Sequence, residues 1–125
     1  EIQAGSFIFM DMSYKRLGLD LFENALHVVC TVISADERHF VIDAGVKSIC
    51  PDQGNPGLDG IEFESVSLSE EHTAFYGPHS LKVGDMVKVV PGHCCSTVNL
   101  YDEMYLLDGD TVIDRIPVVG RGKAR

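Results

Sequence analysis

The feature that most narrows the fold is a series of short β-branched and aromatic runs, separated at close intervals by Gly, Pro and Asp turn residues. Such runs are stiff at χ1 and pack well on a pleated surface, so they pair as strands. Helical periodicity is almost absent. Ala25 to Ser34 reads Ala-Leu-His-Val-Val-Cys-Thr-Val-Ile-Ser, and Arg38 to Asp43 follows across Ala35-Asp36-Glu37, which is the pattern of a hairpin. Ser6 to Met12 is rich in strand formers and predicts a first strand, with a loop or short helical turn over Tyr14 to Glu23. Ile61 to Val66 alternates as a half-exposed strand does. Leu81 to Val90 turns at Gly84-Asp85 and enters a strand at Val87, Val98 to Tyr101 predicts another, and Met104 to Leu107 with Thr111 to Val119 predicts a closing hairpin around Asp108-Gly109-Asp110. A single helical turn is expected at Ser69-Glu70-Glu71-His72, where Ser69 precedes acidic residues as an N-cap does. The expectation is an all-β fold, an antiparallel barrel or sandwich with at most one or two short helical turns.

With 125 residues the chain is long enough for one domain with a core and too short for two. It starts at Glu1 and runs directly into apolar alternation, so it reads as one domain of a longer protein. No apolar run is long enough to cross a bilayer. A net charge of −9, with basic residues clustered only in the tail Arg121-Gly122-Lys123-Ala124-Arg125, argues against nucleic acid as a partner. Cys30, Cys50, Cys94 and Cys95 read as reduced thiols of a cytoplasmic protein, because adjacent cysteines rarely bond each other and the core needs no staple.

Chemistry concentrates in two places. Ala44 to Gly60, with Gly45, Gly54, Gly57, Gly60, Pro51 and Pro56, is a long irregular loop of the kind that carries function. Asp43, Lys47 and Asp52 are its candidates for ligand contact; turn capping by the two aspartates and a solvated lysine is the competing account. The second place is Pro91-Gly92-His93-Cys94-Cys95, between two expected strands. An extended backbone there puts His93 and Cys95 on one face and Cys94 on the other. An imidazole and a thiolate on one face can chelate a soft divalent ion such as zinc and leave coordination positions open for a substrate. Against this, Cys95 can be a small buried hydrophobe and His93 a hydrogen-bonded loop residue. His72 is a further candidate for the same pocket, whereas His27 reads as a core or cross-strand residue.

Taken in order, Glu1-Ile2-Gln3-Ala4-Gly5-Ser6-Phe7-Ile8-Phe9-Met10-Asp11, Asp43-Ala44-Gly45-Val46-Lys47, Asp52-Gln53-Gly54-Asn55-Pro56, Ser69-Glu70-Glu71-His72, Val83-Gly84-Asp85, Pro91 to Leu100 and Arg121-Gly122 resemble the C-terminal domain of the D-serine dehydratase and D-threonine aldolase family, relatives of the alanine racemases. The pieces cover nearly the whole chain. Phe7, where tyrosine is common, and Cys94 depart from the family pattern.

The resemblance implies a β domain, residues 1–125, beside a pyridoxal-phosphate-binding α/β barrel that carries the Schiff-base lysine, so Lys47 is not that lysine. It implies metal ligation by His93 and Cys95, with zinc first and manganese or magnesium as alternatives, and a packing role for Cys94. It further implies a homodimer, an active site completed by a barrel of the same or a second subunit, and a β-hydroxy-D-amino acid substrate. Thiolate at Cys95 looks more like the dehydratases acting on D-serine or D-threo-3-hydroxyaspartate than like the aldolases. The isolated domain is then inactive. Two other readings are a non-catalytic dimerisation domain and a metal-free racemase-like domain, which needs a catalytic tyrosine from among Tyr14, Tyr76, Tyr101 and Tyr105.

Overall fold

A computed structural model of the chain describes residue 1 and residues 5–19 and 21–123. Ile2, Gln3 and Ala4 of the opening family-like piece, and Ala124 and Arg125 of the basic tail, lie outside the described residues. Six strands form one antiparallel sheet: β1 (Val28–Ala35), β2 (His39–Ile42), β3 (Gly57–Leu58), β4 (Ser65–Leu68), β5 (Thr73–Tyr76) and β6 (Met86–Val90). Their order is β3-β6-β1-β2-β5-β4, and β7 (Glu103–Asp108) with β8 (Thr111–Pro117) makes a separate hairpin. The fold is all-β, as the short alternating runs require, and the larger sheet curls into a half-barrel. No described helix is long and apolar enough to cross a membrane.

The curl has a local cause. The first half of β1 pairs with β6, Val28 opposite Val89 through Thr31 opposite Met86, while its second half pairs with β2 from Val32 onward. Register slips between Val32 and Ser34, so Ile33 is an extra residue on that strand. Such a bulge bends its strand and increases the local twist, carrying the two parts of the sheet round toward each other. Cys30, Val32, Phe40, Ile42, Phe75, Val87 and Val89 then face one core, joined by Ala44, Ile49 and Leu58 from the long loop. Phe40 stacks on Phe75 at 5.3 Å between centroids, and Phe63 meets Phe75 edge-on at 4.9 Å.

Both hairpins expected at 25–43 and 104–119 are present, the second ending at Pro117. Four expectations need correction. Ser6 to Met12 is not a strand: Ser6–Ile8 is a 3-10 turn and Met12–Arg16 is helix α1. Met10 takes φ 54, and Asp11 caps α1 by accepting the amides of Ser13 and Tyr14, so a side-chain cap overrides the strand propensity of the run. Cys94–Val98 is likewise helix α2, with extended His93 as its N-cap, so the strand expected over Val98 to Tyr101 is absent and Val98 ends the helix instead. The strand expected at 61–66 pairs only over Ser65–Leu68, while Ile61 and Phe63 pack on the core ahead of it. Finally, Ser69 to His72 is no helical turn but the tight link between β4 and β5, closed by the Ser69 amide donating to the His72 carbonyl at 2.8 Å.

Candidate functional site

Strand β6 delivers the site. Val87, Val89 and Val90 are buried, and the chain continues through buried Pro91 and Gly92 into His93. A Cβ on Gly92 would stand 1.9 Å from the Gly54 carbonyl oxygen, so only glycine lets the loop around residues 52–55 lie against this turn. That close approach places Asp52 beside His93. Both Asp52 oxygens lie 3.0–3.1 Å from His93 Nδ1, and the Ser96 hydroxyl donates to Asp52 at 2.7 Å while standing 3.1 Å from the same ring nitrogen.

The other wall comes from the N-terminal segment. Buried Asp11 accepts the Cys94 amide at 2.8 Å with one oxygen and takes the Ser13 amide, Ser13 hydroxyl and Tyr14 amide with the other. A single carboxylate thereby caps α1 and fixes the first amide of α2. The Met12 amide also donates to the Pro91 carbonyl at 3.0 Å. Ser6 Oγ reaches Cys95 Sγ at 3.3 Å. A cleft of about 400 Å³ lies along this seam, lined by Ser6, Ser13, Tyr14, Arg16, Leu17, Gln53 and His93.

The two adjacent cysteines have opposite surroundings. Cys94 is buried, and that burial, with the Asp11 carboxylate next to it, pushes its thiol up to about 12. Cys95 is exposed, and the Ser6 hydroxyl, followed by Cys94 and His93, holds its thiol below the ordinary range against the opposing effect of partial burial. Partial burial pulls His93 down, but the hydrogen bond and charge of Asp52, with help from Cys95, outweigh it and raise the imidazole. Thiolate and imidazolium thus favour each other. The packing role expected for Cys94 fits its burial, whereas burial of Cys95, one of the two accounts of that residue, does not hold. The helix also changes how the pair is arranged: His93 and Cys95 come together as N-cap and second residue of a helix, not as alternate residues of a strand.

Of the remaining candidates, Lys47 pairs with Glu70 at 3.2 Å and Glu71 at 2.9 Å, which raises its ammonium chiefly through the Glu71 hydrogen bond. A Schiff-base lysine needs the opposite shift, so Lys47 is unsuited to that role. His72 is exposed at the β4–β5 turn, and Asp43 accepts the Thr31 amide at 2.7 Å as a structural brace. His27 is half-buried, with Nε2 3.5 Å from Asp59. Tyr14 lines the cleft; Tyr101 donates to the Ser48 carbonyl, Tyr105 to Glu103, and Tyr76 stacks on His39. Sequence reasoning missed Asp11, Ser6, Ser96 and Arg16 as site residues. The Asp-x-Ser-Tyr spacing of an N-cap was the one signal that could have found Asp11.

Among the described residues no three His, Cys, Asp or Glu converge to close a metal site. The donors suit an open one. With Nδ1 engaged by Asp52, the other ring nitrogen of a neutral His93 and the exposed Cys95 sulfur are the donors that would hold the ion.

Comparison with known proteins agrees with this architecture. Residues 25–107 match the family described as "Putative serine dehydratase domain". The chain is 35% identical over 136 residues to a 3-hydroxy-D-aspartate aldolase of Paracoccus denitrificans, covering 98% of this chain and 35% of that enzyme. It superposes on a D-threonine aldolase from Filomicrobium marinum with TM-score 0.84 and 32% identity, over 96% of this chain and 35% of that one. It thus spans about a third of the length of these enzymes. An uncharacterized protein of Mycobacterium bovis is 32% identical over 113 residues, covering 79% of this chain and 85% of that protein. By sequence and by fold, the chain belongs to the D-serine dehydratase and D-threonine aldolase family.

Proposed function

We propose that residues 1–125 are the single C-terminal β domain of a longer pyridoxal-phosphate-dependent lyase acting on β-hydroxy-D-amino acids, and that His93 and Cys95 hold a divalent ion there. The observation that carries the proposal is His93, held by Asp52 and lining the cleft, with the exposed Cys95 thiol two residues on. Thiolate and imidazole favour zinc over manganese or magnesium, which prefer oxygen donors. When bound, the ion supplies Lewis acidity at a substrate hydroxyl, and pyridoxal phosphate supplies the electron sink for the α-carbon.

The chain's own residues do the positioning. Asp52 accepts the Nδ1 proton of His93 and fixes the ring, Ser96 holds Asp52, and the Ser6 hydroxyl supports the charged form of Cys95. Asp11 keeps the first turn of α2 in place. Such a site serves two reactions of a β-hydroxy amino acid, Cα–Cβ cleavage and loss of the β-hydroxyl as water. The aldolase names of the relatives favour cleavage, and the thiolate ligand leaves dehydration of D-serine or D-threo-3-hydroxyaspartate as the alternative. We place the barrel of the same or a second subunit against this domain, in a homodimer.

Incubating the complete enzyme with D-threo-3-hydroxyaspartate separates the reactions: cleavage yields glycine and glyoxylate, dehydration yields oxaloacetate and ammonia. Elemental analysis should find a bound ion that is lost in His93→Ala and in Cys95→Ala. Absence of both product pairs after zinc and manganese are supplied would sink the lyase reading. A second reading, a non-catalytic dimerisation domain, is favoured by the Mycobacterium bovis relative, which is little longer than this domain. It requires no bound ion and no turnover.

A further inference from the structure

Arg16 is a cation aimed at the cleft whose role nothing above explains. It sits at the end of α1, and its guanidinium lies flat across Gly54, so that a Cβ there would meet Nη1 at 2.7 Å and Cζ at 3.2 Å. Nη1 donates to the Gln53 carbonyl at 3.0 Å and Nη2 donates to the Asn55 carbonyl. These contacts hold the group rigidly, yet they engage only two of its five N–H donors. Arg16 has no carboxylate partner among the described residues, in a chain of net charge −9. Arg16 and His93 are the cleft-lining side chains able to carry positive charge, and His93 is already matched by Asp52. A pre-positioned guanidinium with no carboxylate partner among the described residues, on the wall of the cleft that His93 also lines, is a fixed fork for a carboxylate.

We propose that Arg16 is a specificity-determining residue that binds a carboxylate on the substrate's side chain and so selects β-hydroxy-D-amino acids with an acidic side chain over neutral ones. The inference rests on the lyase reading above. A substrate such as 3-hydroxy-D-aspartate places its second carboxylate beyond the β-carbon, on the side away from the α-amino group, whereas D-serine and D-threonine offer hydrogen or methyl there. Residues 53–55 orient Arg16, and the neighbouring Asp52 orients His93, so one loop sets both the candidate ion ligand and the charge that reads the side chain.

The test uses the complete enzyme with Arg16→Met and Arg16→Lys variants, after their melting temperatures are matched to the parent. Both kcat/KM for 3-hydroxy-D-aspartate and the calorimetric affinity for D-aspartate, which lacks the β-hydroxyl, should fall about 10- to 100-fold in Arg16→Met, with partial recovery in Arg16→Lys. Values for D-threonine and D-alanine should change by less than about threefold, within the usual range for a removed surface group. A parallel loss for acidic and neutral ligands would make Arg16 a structural clamp and overturn the proposal, as would a parent enzyme that prefers neutral substrates. If the parent turns over none of the hydroxy amino acids, the lyase reading itself fails and this inference falls with it.

Discussion

Asp11 joins two segments that are distant in sequence. Its carboxylate takes three protons from α1 and its approach and one from Cys94, and it is fully buried. Removing it leaves buried donors without acceptors, so Asp11→Ala should cost about 2–4 kcal/mol in urea unfolding. Burial pushes the Asp11 carboxyl up, but its hydrogen bonds with Ser13, Cys94 and Tyr14 outweigh this and lower it. A lowered carboxyl stabilises the fold above its unfolded pKa, near 3.9. Stability of the parent should therefore fall as pH drops through the folded value, and the difference from Asp11→Ala should shrink; an undiminished difference at pH 2 counts against this account. The cysteines give a second residue-level expectation. Iodoacetamide should label exposed Cys95 first, with Cys94 and Cys30, both buried and pushed up to about 12, labelled last by peptide mass mapping. His93, Cys95 and Asp52 stand out as candidates in the sequence because imidazole, thiol and carboxylate are reactive groups whatever surrounds them. Ser6, which meets Cys95 across 89 positions, and Ser96, which meets Asp52 across 44, do not, because an ordinary serine gains meaning only from what folding brings to it.

Elements divide along the same line. The β1–β2 and β7–β8 hairpins were legible because strand propensity and turn residues agree within a few residues of chain. Helices α1 and α2 were not, since five residues are too few to show a period, and each is defined by a cap. Asp11 caps the first, and the extended His93 opens the second with its amide end held from 83 residues away. The turn before α2 tests how tightly that geometry is set. Gly92→Ala must push its Cβ against the Gly54 carbonyl, a backbone atom that cannot swing aside, so the loop carrying Asp52 has to move. Loss of several kcal/mol is expected, on the scale of severe overpacking, together with disruption of the Asp52–His93 pair. Gly120→Ala, where nothing lies within 4 Å of the added carbon, should stay within about 0.5 kcal/mol of the parent. Equal stability of the two variants would show that the 52–55 loop is free to shift.

For the molecule as a whole, the uneven burial of its two sheets sets the final expectation. The six-stranded sheet encloses the core, whereas Tyr105, Leu106, Leu107, Val112, Ile113 and Ile116 of the β7–β8 hairpin are exposed. A two-stranded hairpin is marginal in water by itself, and this one is closed at its own base by the Val118 amide on the Asp102 carbonyl and by the Arg121–Asp102 pair. Its apolar side chains are of the kind that a barrel or second subunit covers in the enzyme proposed above. Hydrogen exchange measures the difference directly. In the 125-residue chain, amides of β1, β2, β5 and β6 should be strongly protected, while those of β7 and β8 exchange orders of magnitude faster, because local opening of the hairpin exposes little new apolar surface. In the complete enzyme the hairpin should gain protection approaching that of the sheet, and Ile113→Lys should reverse the gain without altering protection of β1. Equal protection of the hairpin in both forms would mean that it is stable unaided, and the covering partner would have to be sought on another face.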